Sequence, residues 1–235
     1  MRPFYFFFFI LALITCYSGM SLAAEKDKGN KPTYLFSGDA QLLSHFIDRG
    51  LSISDGNPAL NASFLFNMGQ QFRVGFWGSN ISNVTSSDDN LWLKFIADVH
   101  IQFANESILK IYFNDDHFYK SDLRNGQSVG VNYDILSYMT QFEWMSNFQG
   151  TRTDAVYLRA GKMFSLRKDI LAGGLVGITL QKSKAYYDYL DLKAVTTYKV
   201  TDYFELEGGI TLATNSPQFN YRGNPFIYLG IKLSY

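Results

Sequence analysis

The sequence predicts an all-β protein: a transmembrane antiparallel β-barrel of twelve strands, with ten as the alternative, behind a cleaved leader. Three observations predict it. The last ten residues, Phe226 to Tyr235, alternate strictly, with Ile227, Leu229, Ile231, Leu233 and Tyr235 on one side and Phe226, Tyr228, Gly230, Lys232 and Ser234 on the other. Successive strand residues point to opposite faces, so this segment separates an aliphatic stripe from a polar one, and ten tilted residues cross a bilayer. The same alternation recurs along the chain with no sustained helical period. Aromatic residues make up 17% of the 235-residue chain while the hydrophobic fraction is 47%, as expected where only every second strand residue faces lipid and aromatic girdles mark the rims.

The chain begins with Arg2, an apolar run from Phe4 to Ile14 and the small-residue stretch Ser21-Leu-Ala-Ala24. That is the pattern of a secretory signal peptide, so residues 1–24 are expected to be removed, with cleavage after Ala23 or Ala24. The apolar run is shorter than the ~20 residues a spanning helix needs. Cys16, the only cysteine, falls inside it and leaves the mature chain without a disulfide. Residues 25–41 read as a charged, flexible lead-in, and residues 42–235 as the barrel.

The first strand is expected from Leu42 to Ser52. Leu60, Ala62, Phe64 and Phe66 then alternate with Asn61, Ser63 and Asn67, and a turn at Met68-Gly-Gln70 leads to Phe72, Val74 and Phe76 opposite Arg73, Gly75 and Trp77. After a polar loop, Leu91 to Phe103 forms the longest run: Leu93, Phe95, Ala97, Val99 and Ile101 on one face, Trp92, Lys94, Asp98, His100 and Gln102 on the other. Further runs follow at 109–113, 136–144, 156–161, 176–181, 190–199, 204–212 and 226–235. These runs number eleven. Single-chain barrels have an even number of strands, with short turns on one side and longer loops on the other. One strand is therefore missing from the count, and residues 115–131 are its expected place.

The formal net charge is zero and no basic stripe appears, which excludes nucleic acid as a partner class. Nothing in the pattern calls for a cofactor. The partners such a barrel implies are membrane lipid, the machinery that assembles barrels, and small solutes; no motif bears on oligomeric state.

The segment His45 to Ser63, with Arg49-Gly50 and Asn57-Pro-Ala59, continues into Gly75-Phe-Trp-Gly-Ser-Asn80. It resembles the TorF-type porin family of Gram-negative outer membranes, whose opening reads Arg-Gly, a Ser-rich turn, Pro-Ala, an alternating strand and Gly-x-Trp-Gly-Ser-Asn. The matching positions are Arg49, Gly50, Pro58, Gly75, Trp77, Gly78, Ser79 and Asn80. The likeness covers the first sixty residues after the leader, the overall length and the C-terminal strand. It implies an outer-membrane channel for passive diffusion of small solutes. The terminal aromatic, Tyr235, resembles the assembly signal of outer-membrane barrels.

On the inferred inner face stand Arg73, Lys94, Asp98, Arg159, Glu205, Glu207 and Lys232, which with Arg49 are the candidate pore-lining residues. Their mixed signs predict internal pairing and little net ion selectivity. Gly75 and Gly78 are expected to thin the inner wall beside Trp77, and Ser79-Asn80 to end the strand at the rim. Catalytic readings are weak: Asp98 and His100 share a strand face, yet no nucleophile is tied to them by a motif, and the chain does not read as an enzyme. Asp115-Asp-His117 is a loop cluster more typical of a solvated turn than of a metal site. Two other classes compete with a channel: a non-conducting structural or adhesive barrel, and a secreted barrel that binds a lipophilic ligand, whose interior would be apolar.

Overall fold

In the computed structural model, residues 35–69, 71–82, 90–120, 122–148, 152–183 and 187–235 are described; the expected leader, Cys16 and most of the lead-in lie outside them. The barrel strands are β1 (Leu35–Leu43), β4 (Ala59–Met68), β5 (Phe72–Asn80), β6 (Leu91–Gln102), β7 (Ile108–Phe118), β8 (Gly126–Ile135), β9 (Tyr138–Met145), β10 (Ala155–Ser165), β11 (Ile170–Gln181), β12 (Tyr189–Lys199), β13 (Phe204–Ala213) and β14 (Phe226–Ser234). Each pairs antiparallel with its neighbour, and β1 closes the sheet on β14. Two short strands, β2 (Ile47–Asp48) and β3 (Leu51–Ser52), form a separate hairpin. Closure leaves no sheet edge, which is what a sheet in lipid requires.

The alternation decides the two faces. Leu60, Phe64, Phe76, Leu93, Phe142, Leu158, Leu192, Ile227 and Leu229 are exposed on the outer wall, while their strand neighbours Asn61, Asp98, Glu143, Asp191 and Tyr228 are buried inside. The interior is thus polar, contrary to what a lipophilic-ligand barrel needs. Both chain ends described, Leu35 and Tyr235, lie at the rim of the short turns 103–107, 136–137, 166–169 and 200–203. The longer connections gather at the opposite rim.

The missing strand is β8, which begins inside the expected interval and runs beyond it to Ile135. It escaped the count because its link to β9 is a two-residue turn, Leu136-Ser137, with Ile135 opposite Tyr138. Both turn residues have positive φ, 48° and 73°, the conformation that normally selects Asn-Gly. Leu136 in that place reads as one more strand residue.

The expected first strand is corrected. Barrel pairing begins at Leu35, inside the expected lead-in, and stops at Leu43; residues 44–58 then turn into the barrel. Small lipid-facing residues, Gly38 and Ala40, and an apolar inward Leu43 blur the alternation there. β14 pairs antiparallel with Leu35–Leu43.

The apolar core sits inside the barrel, around the inserted segment. Leu51 packs with Met145, Phe148, Ala155, Tyr157, Tyr189 and Ala213, and Ile53 with Ile81, Trp92 and Phe118. Complete burial of each aliphatic side chain stabilises the insertion by about 1.5–3 kcal/mol.

Candidate functional site in the barrel lumen

The inserted hairpin is built by its own turn. Ile47 pairs with Ser52 and Asp48 with Leu51, so Arg49 and Gly50 form a two-residue connection. Their φ values, 47° and 75°, make it a turn with both central residues left-handed. A side chain on Gly50 would also collide with Asp191 on β12. Gly50 is therefore required twice, by its dihedral and by the wall it meets.

Side chains fasten this hairpin. The Ser54 hydroxyl donates to the Asn57 carbonyl (2.5 Å) and accepts the Phe46 N–H (2.9 Å). The Ser52 N–H donates to the Arg222 carbonyl, and Arg222 Nε returns a bond to the Ser52 carbonyl, each at 2.8 Å. His45 Nε2 lies 2.6 Å from Ser52 Oγ and accepts the Gly56 N–H at 3.3 Å. Burial pushes the His45 imidazole below its ordinary pKa, with Asp55 opposing.

At the tip, Arg49 crosses to the far wall. Its Nη2 donates to Glu143 Oε2 (2.8 Å) and its Nη1 to Asp48 Oδ2 (2.6 Å). The guanidinium also lies over the Tyr157 and Phe148 rings, 5.4 and 6.0 Å from their centroids. Burial works against this charge, but the Asp48 and Glu143 carboxylates outweigh it and hold Arg49 protonated.

Hairpin and wall enclose a cavity of about 480 Å³ to which all twelve barrel strands contribute. Of the candidate pore-lining residues, Arg49, Lys94, Arg159 and Glu207 line it; Arg73, Asp98, Glu205 and Lys232 do not. Most are neutralised in pairs. Arg73 grips Asp98 through Nε (2.9 Å) and Nη2 (3.0 Å), with Lys110 at 3.4 Å and His100 at 2.9 Å from the same carboxylate. Lys94 pairs with Asp116 and rests over Trp92 and Trp77. Lys193 meets Glu207 at 3.2 Å, and Lys232 meets Glu205 at 4.0 Å. Asp98 is thus the shared anchor of Arg73, Lys110 and His100 on the inner wall. Asp115 and His117 pair on the outer face while Asp116 points inward, so that cluster is split; among the described residues no group of three ligating side chains could hold a metal.

The Gly-x-Trp-Gly-Ser-Asn stretch acts as a clamp on the inserted segment. Ser79 Oγ donates to Asn61 Oδ1 (2.5 Å), Asn80 Oδ1 accepts the Leu60 N–H (2.6 Å), and Asn80 Nδ2 donates to the Pro58 carbonyl (3.1 Å). Trp77 stands edge-on to Trp92 at 5.3 Å and packs on Phe46 at the base of the hairpin. Gly75 faces the lumen opposite Ile96, but Gly78 is corrected: strand parity puts it on the lipid side, against Leu93.

Sequence reasoning did not single out Glu143, Tyr157 or Asp191, because their importance arises from cross-barrel register. Nor did it show that inward glycines lie under tyrosine rings: Gly130 under Tyr112, Gly177 under Tyr157 and Gly209 under Tyr228. Only strand pairing reveals those matches.

No family model matches the chain, and no curated protein matches it. Among solved structures it is similar to the KdgM porin, with a TM-score of 0.55 at 7% identity over 85% of this chain and 98% of that one. It is also similar to the KdgM porin in complex with disordered oligogalacturonate (0.54, 8%, 85% and 98%). The COG4313 outer membrane channel from Pseudomonas putida F1 aligns with a TM-score of 0.52 at 8% identity over 90% and 98% of the two chains. At such identities the likeness is one of fold, and the fold is that of the outer-membrane porin-like channels.

Proposed function

We propose that this chain is an exported outer-membrane channel of the TorF-type porin family, passing small polar solutes by passive diffusion. The observation that carries this reading is the lumen: a polar cavity lined by every strand, inside a barrel whose outer wall is apolar. A water-filled path needs that polarity. Tyr235 would serve as the signal to the barrel assembly machinery, the short-turn rim would face the periplasm, and lipid would be the partner of the outer wall. The charges paired along the wall support weak ion selectivity. Planar bilayers test the proposal: purified, folded protein should give discrete conductance steps in KCl, and an inserted barrel that passes no current would refute it.

A second reading, a non-conducting structural or adhesive barrel, is favoured by one observation. The inserted hairpin crosses the lumen and is pinned on both sides, by Glu143 and by Arg222. The same measurement separates the two.

A further inference from the structure

Of the nine charged residues that line the lumen cavity, seven are in ion pairs; Arg159 and Asp191 are the two with no opposite charge within 4 Å among the described residues. They share one row of the sheet. Arg159 on β10 is opposite Gly177 on β11, and Gly177 is opposite Asp191 on β12. The missing side chain lets Asp191 and Tyr157 close over the glycine, where a Cβ would lie 2.3 Å from Asp191 Oδ2 and 2.4 Å from the Tyr157 hydroxyl oxygen, and both Arg159 and Asp191 border the lumen cavity. Asp191 is 4% exposed, and its Oδ1 accepts the Tyr157 hydroxyl at 3.3 Å while Oδ2 has no partner. The hairpin tip packs on this pair, with Gly50 against Asp191 and Arg49 over Tyr157.

We infer that the lumen wall between Arg159 and Asp191 is a binding site for compact zwitterions, solutes that carry a carboxylate and an ammonium group close together. Arg159 takes the carboxylate, in the forked geometry guanidinium favours. Asp191 Oδ2 takes the ammonium, which supplies the partner that a buried carboxylate oxygen otherwise lacks. The backbones of β10 and β12 are two strand spacings apart, roughly 9–10 Å, a separation that a small solute held between the two inward side chains can bridge. Charge complementarity selects this class. A simple anion drawn to Arg159 meets Asp191, a simple cation drawn to Asp191 meets Arg159, and an uncharged polyol answers neither charge. Asp134, also within electrostatic range of Arg159, strengthens the bias against free anions.

This inference rests on the channel reading, and the experiment distinguishes their failures. Proteoliposomes holding the full barrel are assayed by swelling in serine, glycerol and lactate, beside KCl conductance in bilayers. Serine is expected to enter several-fold faster than glycerol, and lactate slower than serine. Arg159→Gln and Asp191→Asn should each abolish the preference for serine, whereas Asp202→Asn, in the exposed 200–203 turn, should preserve it. KCl current with serine no faster than glycerol in the unmodified protein would overturn the zwitterion site and leave the channel standing. Absence of both current and swelling would overturn both. The comparison in the unmodified protein decides even if a variant fails to fold.

Discussion

The ring of Tyr235 lies over Gly38. The two residues exchange backbone hydrogen bonds, Tyr235 N–H to the Gly38 carbonyl at 3.0 Å and Gly38 N–H to the Tyr235 carbonyl at 3.2 Å, and a Cβ on Gly38 would fall 2.6 Å from the ring. The contact extends the shortest ladder of the barrel, which runs from Asp39 opposite Ser234 to Leu43 opposite Gly230. An aromatic side chain laid across a glycine on the neighbouring strand restores the packing the glycine lacks. At the seam it also fastens the last residue to the first strand.

Deleting Tyr235 should therefore impair closure while leaving export intact. Two backbone bonds, about 1 kcal/mol each, and the ring packing are lost where pairing is shortest. The expected result is a reduced level of heat-modifiable barrel in the membrane fraction and accumulation of exported, unassembled chain. Gly38→Val, which keeps Tyr235 but displaces its ring, should show the same defect; normal barrel levels in both variants would make this an ordinary strand end.

Acidification should loosen the inserted hairpin through His45. Its Nε2 accepts the Gly56 N–H and lies beside Ser52 Oγ, so a proton there displaces the Gly56 donor and makes the Ser52 hydroxyl turn to accept. Burial depresses the folded pKa below the ordinary 6.5. The unfolded or released segment therefore takes up the proton first, and the fastening is complete above the ordinary imidazole range and lost as pH falls through and below it. The facing charge is Asp55, which favours protonation. Conductance should rise on going from neutral pH to about pH 5, and His45→Gln, which keeps an acceptor that does not titrate, should flatten that profile. An unchanged profile in the variant would place the pH response elsewhere.

Arg49→Ala should free the hairpin tip. Glu143, 3% exposed, would lose its cation. Breaking one side of a buried pair costs about 3–5 kcal/mol. Larger single-channel conductance and a lower temperature for loss of the folded band on gels are expected together; a stability loss with unchanged conductance would show that the hairpin does not constrict the path.

Glycines in the wall should differ in a predictable way. Alanine at Gly130 would drive its Cβ into the Tyr112 ring, whereas alanine at Gly174 meets nothing closer than the Lys193 carbonyl at 3.8 Å. Overpacking of this kind costs about 1–3 kcal/mol, so Gly130→Ala should lower the thermal transition and Gly174→Ala should leave it in place, as read by heat-modifiability.

The strand face of nearly every residue was legible from alternation alone, because a period of two is a local property and lipid demands it on one side. Parity, likewise, required the strand that Leu136-Ser137 concealed. The places where local reading failed share one cause. Leu136 and Arg49 occupy left-handed turn positions that their side chains do not advertise, so the β8–β9 turn and the inserted hairpin were both read as strand. The sequence by itself determined a closed amphipathic wall with a polar interior and an aromatic terminus. Tertiary structure alone brought Arg49 from the first long connection to Glu143 on β9, and set Arg159 and Asp191 on either side of Gly177. Those relationships depend on register and closure across strands far apart in the chain, and no local periodicity encodes them.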